Sequence, residues 1–215
     1  MNKAGWRASA RYFDDLAPRW DNMMPLTDHA RRTILETTRL LRISPGDTVL
    51  DAGCGTGVLF PFLLSAVKPG GRVIGLDVSP SMIETARRKT GDAALLLVAA
   101  DIGAFLHERP DASFSAIACF QAFPHFEDKP DIIRSFFRVL SPGGRFAVLH
   151  VEGSAGLNAF HATLPPPVNA HVLPAADTLA SQARSAGFTV IEALDGPGKY
   201  LVAGEKPGRP QTVAG

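Results

Sequence analysis

Val49-Leu50-Asp51-Ala52-Gly53-Cys54-Gly55-Thr56-Gly57-Val58-Leu59 is the stretch on which the reading of the whole chain turns. A short apolar run that ends in closely spaced glycines and then resumes apolar sequence describes a strand, a tight turn and the start of a helix. Glycines there let a ligand come against the backbone, because side chains would block it and the turn demands unusual dihedrals. The spacing chooses among ligands. A Walker loop needs a Gly-Lys-Ser/Thr end, which is absent, and the dinucleotide fingerprint needs its third glycine about five residues after its first. Gly53, Gly55 and Gly57 fall at alternate positions, and Val58 stands where that fingerprint has glycine. A nicotinamide-dependent dehydrogenase is disfavoured.

Outward from this loop the pattern repeats. Thr48-Val49-Leu50-Asp51, Arg72-Val73-Ile74-Gly75-Leu76-Asp77, Leu95-Leu96-Leu97-Val98 and Phe114-Ser115-Ala116-Ile117-Ala118-Cys119 are apolar runs separated by helical stretches. Such runs indicate a parallel sheet covered on both faces. The longest, Ala93 to Ala100, predicts a strand buried on both faces and is far shorter than the roughly 20 residues of a membrane span. Ser79-Pro80 opens a helix that runs to Gly91. Apolar residues at helical spacing mark Asp131 to Leu140, Ser141-Pro142-Gly143-Gly144 stops that helix, and a strand from Arg145 to His150 follows.

The ends differ from this middle. Ser9 to Trp20 and Asp28 to Arg42 read as helices forming an N-terminal lid over residues 1–44, the second with an apolar stripe of Ile34, Leu35, Thr38 and Leu41. Residues 151–174 are rich in Gly, Ala and Pro and read as a cap or substrate loop after the fifth strand, with a short helix near Leu157 to Thr163. A helix from Ala175 to Ala186 and strands Thr189 to Leu194 and Lys199 to Ala203 complete a single domain over 1–205. Residues 206–215 read as a disordered tail.

Composition removes several classes of partner. The 215 residues carry 22 Lys+Arg against 21 Asp+Glu, a net charge of +1. That leaves no clustered cations for nucleic acid or an anionic membrane surface. Two cysteines cannot build a disulfide framework, and Met1-Asn2-Lys3-Ala4-Gly5-Trp6-Arg7 lacks the apolar stretch of a signal peptide, so the expectation is a reducing cytoplasm.

The glycine loop has company. Asp51 precedes it, Asp77 ends the second strand and Asp101-Ile102 follows the third. With the turn Arg138-Val139-Leu140-Ser141-Pro142-Gly143-Gly144-Arg145, these residues resemble the class I S-adenosylmethionine-dependent methyltransferases. The opening Tyr12-Phe13-Asp14-Asp15-Leu16-Ala17-Pro18-Arg19-Trp20-Asp21 is similar to the N-terminus of the quinone-biosynthesis members of that family. The resemblance implies a Rossmann-like, doubly wound α/β fold with a mostly parallel seven-stranded sheet. It also implies an S-adenosylmethionine site made by Asp51, Gly53, Cys54, Gly55, Asp77, Val78, Met82, Asp101, Ile102, Phe120 and Gln121. One carboxylate, Asp77, suits the two ribose hydroxyls, and a sulfonium prefers acceptors and aromatic faces to Lys or Arg. Tyr12 and Trp20 are candidate lid aromatics, with packing as the competing reading.

The fourth strand runs into Phe120-Gln121-Ala122-Phe123-Pro124-His125-Phe126, which is neither the Asn-Pro-Pro-Tyr type of motif nor a Pro-Cys nucleophile; nucleic-acid methylation is disfavoured. Four of the six histidines, His125, His150, His161 and His171, fall within 47 residues. His125 and His150 end the fourth and fifth strands and are candidate catalytic residues that orient or deprotonate a small-molecule acceptor. The competing reading makes all four metal ligands, zinc for example, activating a thiol or other soft nucleophile. Their spacings match no short ligand motif. A third reading, of another class, is a non-catalytic protein that binds the cofactor and regulates a partner. As an enzyme the chain is expected to act as a monomer or homodimer on a small molecule.

Overall fold

The computed structural model describes residues 3–208. Helix α1 (Lys3–Leu16) passes through a 3₁₀ turn (Ala17–Arg19) into α2 (Trp20–Met23), and α3 (Asp28–Leu40) follows. Strands and helices then alternate: β1 (Thr48–Ala52), α4 (Phe60–Val67), β2 (Arg72–Asp77), α5 (Pro80–Lys89), β3 (Leu95–Ala99), α6 (Ile102–His107), β4 (Phe114–Phe120), α7 (Lys129–Val139) and β5 (Leu140–His150). The chain closes with α8 (Ser154–His161), α9 (Ala176–Ala186), β6 (Thr189–Gly196) and β7 (Lys199–Glu205).

Local chemistry places the helix starts. Thr27 accepts from the Ala30 amide to cap α3, Ser79 from Met82 to cap α5, Asp101 from Ala104 to cap α6, and Asp128 from Asp131 to cap α7. Each cap satisfies one of the amides that a first helical turn leaves without a partner. Arg87, Arg88 and Lys89 lie in the last turn of α5, where cations complement the helix dipole.

The seven strands form one sheet in the order β3-β2-β1-β4-β5-β7-β6. Pairing is parallel from β3 to β5, and β7 runs antiparallel to both neighbours. This is the expected doubly wound α/β fold. The order reverses between β1 and β4, which opens a crevice at the carboxyl ends of those strands. One apolar layer packs Leu50, Ile117 and Phe146 against Phe136 of α7 and Leu179 of α9. The other packs Val49, Val73 and Ala147 against Ile34 of α3, Leu63 of α4 and Ile83 of α5.

Three expectations need correction. The strand within Ala93 to Ala100 is not buried on both faces: β3 is the sheet edge, and Leu96 is 54% exposed. Position in the sheet, which a continuous apolar run does not encode, decided this. Helix α3 buries Ala30, Thr33, Ile34 and Thr37, while Leu35 of the expected stripe is 43% exposed. The two inward threonines donate to the carbonyl four residues back, so their hydroxyls enter the interface already satisfied. The third concerns the tail: Lys206 donates its amide to Gly144 and accepts from Gly143, so the ordered chain runs past 205. Residues 209–215 of the expected tail lie outside the described residues. No helix among the described residues is long and apolar enough to cross a membrane.

Candidate active site

The glycine loop is pinned to the end of β2, where the amides of Gly53 and Cys54 both donate to the Leu76 carbonyl at 2.8 Å. Gly53 has φ +78°, and a Cβ there would stand 2.2 Å from the Cβ of Ala122, so the loop can approach the segment after β4 only as glycine. Asp77 locks the loop from the other side. Its Oδ2 accepts from the Gly55 amide and its Oδ1 from Ser79, both at 2.9 Å. Burial raises its pKa to about 6 against the pull of those amide bonds. Gln121 has φ +55°, a sparsely populated conformation for a side-chain-bearing residue, and its amide donates to Leu149 at 2.9 Å.

A cavity of about 380 Å³ opens over this loop, within the usual range for a small-molecule site. Gly53, Cys54, Gly55, Asp77, Val78, Met82, Asp101, Ile102, Phe120 and Gln121 line it, as does His125. Asp51 does not. It lies beneath the loop, 1% exposed, and its Oδ2 has no partner among the described residues. Burial, and then the Asp77 charge, push its pKa up to about 8. Burial therefore favours its protonated form, and it stands outside the wall that the other expected cofactor residues line. Burial likewise pushes the Cys54 thiol well above its ordinary range, so Cys54 is a lining atom and not a nucleophile. Lys89 is the sole Lys or Arg among the described lining residues, and it is engaged by the Asp21 carboxylate at 2.5 Å and the Thr56 carbonyl at 3.1 Å.

The N-terminal helices close one side. Trp6, Phe13, Trp20 and Met24 line the cavity; Tyr12 packs edge-on against Phe13 with centroids 5.3 Å apart and is not part of the wall. Two aspartates hold this lid. Asp14 accepts from Ser79 Oγ at 2.5 Å, and Asp21 accepts from Thr56 Oγ1 at 2.6 Å. Phe13, Asp14 and Asp21 escaped the sequence reading although all three lie in the Tyr12 to Asp21 stretch that carries the family likeness.

The four histidines converge at the far end. His125 sits in a 3₁₀ turn after β4, His150 ends β5, His161 ends α8, and His171 lies in the loop that follows. The Nδ1 atoms of His125 and His171 are 2.8 Å apart, and the His161 ring stacks on His125 with centroids at 5.3 Å. Phe13 meets His125 edge-on at 4.9 Å. Burial, reinforced by the neighbouring histidines, holds His125 far below the ordinary imidazole range; burial brings His150 to about 3 and His171 to about 4. These three rings are uncharged at neutral pH. His150 is 1% exposed, and neither of its ring nitrogens has a partner among the described residues. Of the four, only His125 lines the cavity.

Asn158 makes the convergence possible. Its side chain donates to the Leu173 carbonyl at 2.9 Å and accepts from the Leu173 amide at 2.8 Å, clamping the cap loop to α8 beside His161. As the rings stand, no group of three or more His, Cys, Asp or Glu side chains among the described residues is arranged to hold a metal ion.

Comparison with known proteins agrees with this geometry. The family profile described as a methyltransferase domain matches residues 49–144. A demethylmenaquinone methyltransferase of Symbiobacterium thermophilum is 31% identical over 144 residues, 65% of this chain and 57% of the relative. The chain spans about half the length of the first curated relatives it matches, from 42 to 60%. The solved N-methyltransferase NodS of Bradyrhizobium japonicum, in complex with S-adenosyl-L-homocysteine, superposes with a TM-score of 0.73 at 20% identity, covering 93% of this chain and 99% of that one. A putative methyltransferase solved with the Haloferax volcanii Trm112 activator gives 0.71 at 22% identity over 91 and 97%. These likenesses establish the class I methyltransferase fold.

Proposed function

We propose that this chain, which carries a methyltransferase domain on the class I fold, transfers a methyl group from S-adenosylmethionine to a small-molecule acceptor. The supporting observation is a single cavity whose wall runs from the glycine loop, Asp77 and Asp101 to His125. Its features fit the cofactor: a glycine loop in its wall, a carboxylate held at its edge, aromatic rings, and one cation already neutralised. Gly53, Cys54 and Gly55 would hold the methionine part, Asp77 the ribose, and Asp101 with Ile102 the adenine. Bound there, the cofactor supplies a methyl group on positively charged sulfur, which an acceptor lone pair takes as the carbon–sulfur electron pair leaves to sulfur.

The chain's own contribution is position and dryness. Phe13 and Trp20 roof the cavity, and the uncharged His125 ring presents a lone pair beside Gln121 to orient the acceptor or take its proton. His150, buried outside the cavity lining, is the second candidate group. The apolar lining and the absence of an unpaired fixed cation favour a neutral acceptor. With Cys54 and Cys119 both buried and free, we place the protein in the cytoplasm.

Calorimetric titration with S-adenosylmethionine and S-adenosylhomocysteine tests the cofactor site. Incubation with methyl-labelled cofactor and a metabolite extract tests transfer. A labelled small molecule formed by the native protein and lost in His125→Ala, with cofactor affinity kept, is the expected result. Absence of measurable cofactor binding would overturn the reading.

A further inference from the structure

Four imidazoles from separate parts of the chain pack together at the acceptor end, a density of nitrogen donors that methyl transfer alone does not require. The His125 and His171 Nδ1 atoms face each other at 2.8 Å. One proton can lie between them, so one nitrogen is a bare lone pair aimed at the other ring. His161 donates its Nδ1–H to the His171 carbonyl at 2.8 Å, which leaves its Nε2 available to a ligand. A backbone carbonyl on the second ring nitrogen is how a metal-binding imidazole is commonly oriented. His150 is buried with two unpartnered ring nitrogens, an arrangement that a folded chain rarely leaves without a use. The Asn158 clamp on Leu173 ties the loop that carries His171 to α8, the helix that ends in His161.

We propose that His125, His161 and His171, with His150 behind them, bind a divalent transition metal, zinc by its preference for imidazole sets that leave one position open. Two imidazole nitrogens on one tetrahedral zinc stand about 3.3 Å apart when each Zn–N bond is about 2.0–2.1 Å. The His125 and His171 nitrogens need to part by about half an ångström from 2.8 Å to admit the ion. The rings do not enclose a metal position beforehand, so the site closes on the ion as His161 turns its Nε2 toward it. This inference rests on the acceptor docking beside His125, and it assigns that acceptor's class: a small thiol. Its sulfur takes the open position and its proton leaves to solvent, so a metal-held thiolate faces the methyl group.

The test uses metal-stripped protein titrated with Zn²⁺ alone against a chromophoric chelator, and with Co²⁺ alone, whose tetrahedral nitrogen coordination absorbs in the visible. One ion per chain is the expected result. His161→Ala and His171→Ala should each weaken uptake about 100-fold or more. Their S-adenosylhomocysteine affinity should stay within about threefold, because neither residue lines the cofactor cavity. Should His171→Ala lose its fold, as judged by lost S-adenosylhomocysteine binding, His171→Gln replaces it. Metal uptake that is not stoichiometric, or that survives these substitutions as it survives His29→Ala, overturns the site. Since metal and cofactor are titrated separately, failure of one reading leaves the other's result legible.

Discussion

The Asp14 carboxylate accepts a hydrogen bond from the Ser79 hydroxyl at 2.5 Å across 65 positions of sequence, and this contact fastens the N-terminal helix to the start of α5. The same oxygen accepts from the Ser81 amide at 3.0 Å, while Ser79 Oγ in turn accepts from Met82. The N-terminal segment that lines the cavity is thus anchored to the helix that follows Asp77. Removing the carboxylate leaves the buried Ser79 hydroxyl without its acceptor. Asp14→Ala is expected to cost about 1.5–3 kcal/mol, read as a lowered urea midpoint. S-adenosylhomocysteine affinity should fall about tenfold as the lid loosens, a change of about 1.4 kcal/mol.

Gly53 and Gly46 separate close approach from backbone strain. Both have positive φ, +78° and +92°, yet a Cβ at Gly53 collides with Ala122 at 2.2 Å and one at Gly46 meets nothing within 4 Å. Gly46→Ala should cost about 1–2 kcal/mol from its left-handed backbone alone and leave cofactor affinity unchanged. Gly53→Ala should forfeit measurable cofactor binding, because the loop can no longer lie against the segment after β4. Paired calorimetric and thermal titrations of the two variants check this.

Asp51 makes stability fall with rising pH. Its folded pKa, about 8, lies above the ordinary 3.8. The unfolded chain therefore gives up this proton more readily than the folded one. The stability it contributes is fully present below about pH 4 and is lost as pH rises through about 8. At about 1.4 kcal/mol per pKa unit the total amounts to several kcal/mol. Asp51→Asn should flatten the dependence, so that urea midpoints at pH 5 and pH 8.5 differ far less in the variant than in the native protein.

Asp77 should make cofactor binding depend on pH in the opposite sense. Its pKa of about 6 means that the carboxylate is protonated as pH falls below that value, and a protonated acid has lost acceptor capacity for ribose hydroxyls. S-adenosylhomocysteine affinity is expected to decline as pH falls through about 6, with a limiting slope of about tenfold per pH unit. Asp77→Asn should bind about 10- to 100-fold more weakly and show little of this slope.

Legibility in the sequence followed the range of the interaction. The caps at Ser79 and Asp101, the glycine loop and the α-helix stop after α7 are local devices, readable within a few residues. So the alternation of strands and helices was legible, and with it the crevice where Gly53, Asp77 and Gln121 meet. Leu96 was misplaced because a buried central strand and an edge strand carry the same apolar run. Asp51 is expected at the cofactor because it precedes the glycines; that its carboxylate is buried outside the cavity wall is decided by the turn of the chain. Asp14 and Asp21 carry no local signal of what they hold, because their partners Ser79 and Thr56 are 65 and 35 positions away.

The histidines divide most clearly along this line. By itself the sequence determined that four of them crowd into 47 residues, that two follow parallel strands, and that no short ligand spacing links them. Only the tertiary structure decided that His125 and His171 touch, 46 positions apart, that His161 stacks on His125, and that His150 is buried near them with its nitrogens unpartnered among the described residues. Their meeting depends on the reversal of strand order between β1 and β4 and on the Asn158 clamp that ties the cap loop to α8. Periodicity reports which face of an element is apolar; it carries no information about which distant elements that face will meet.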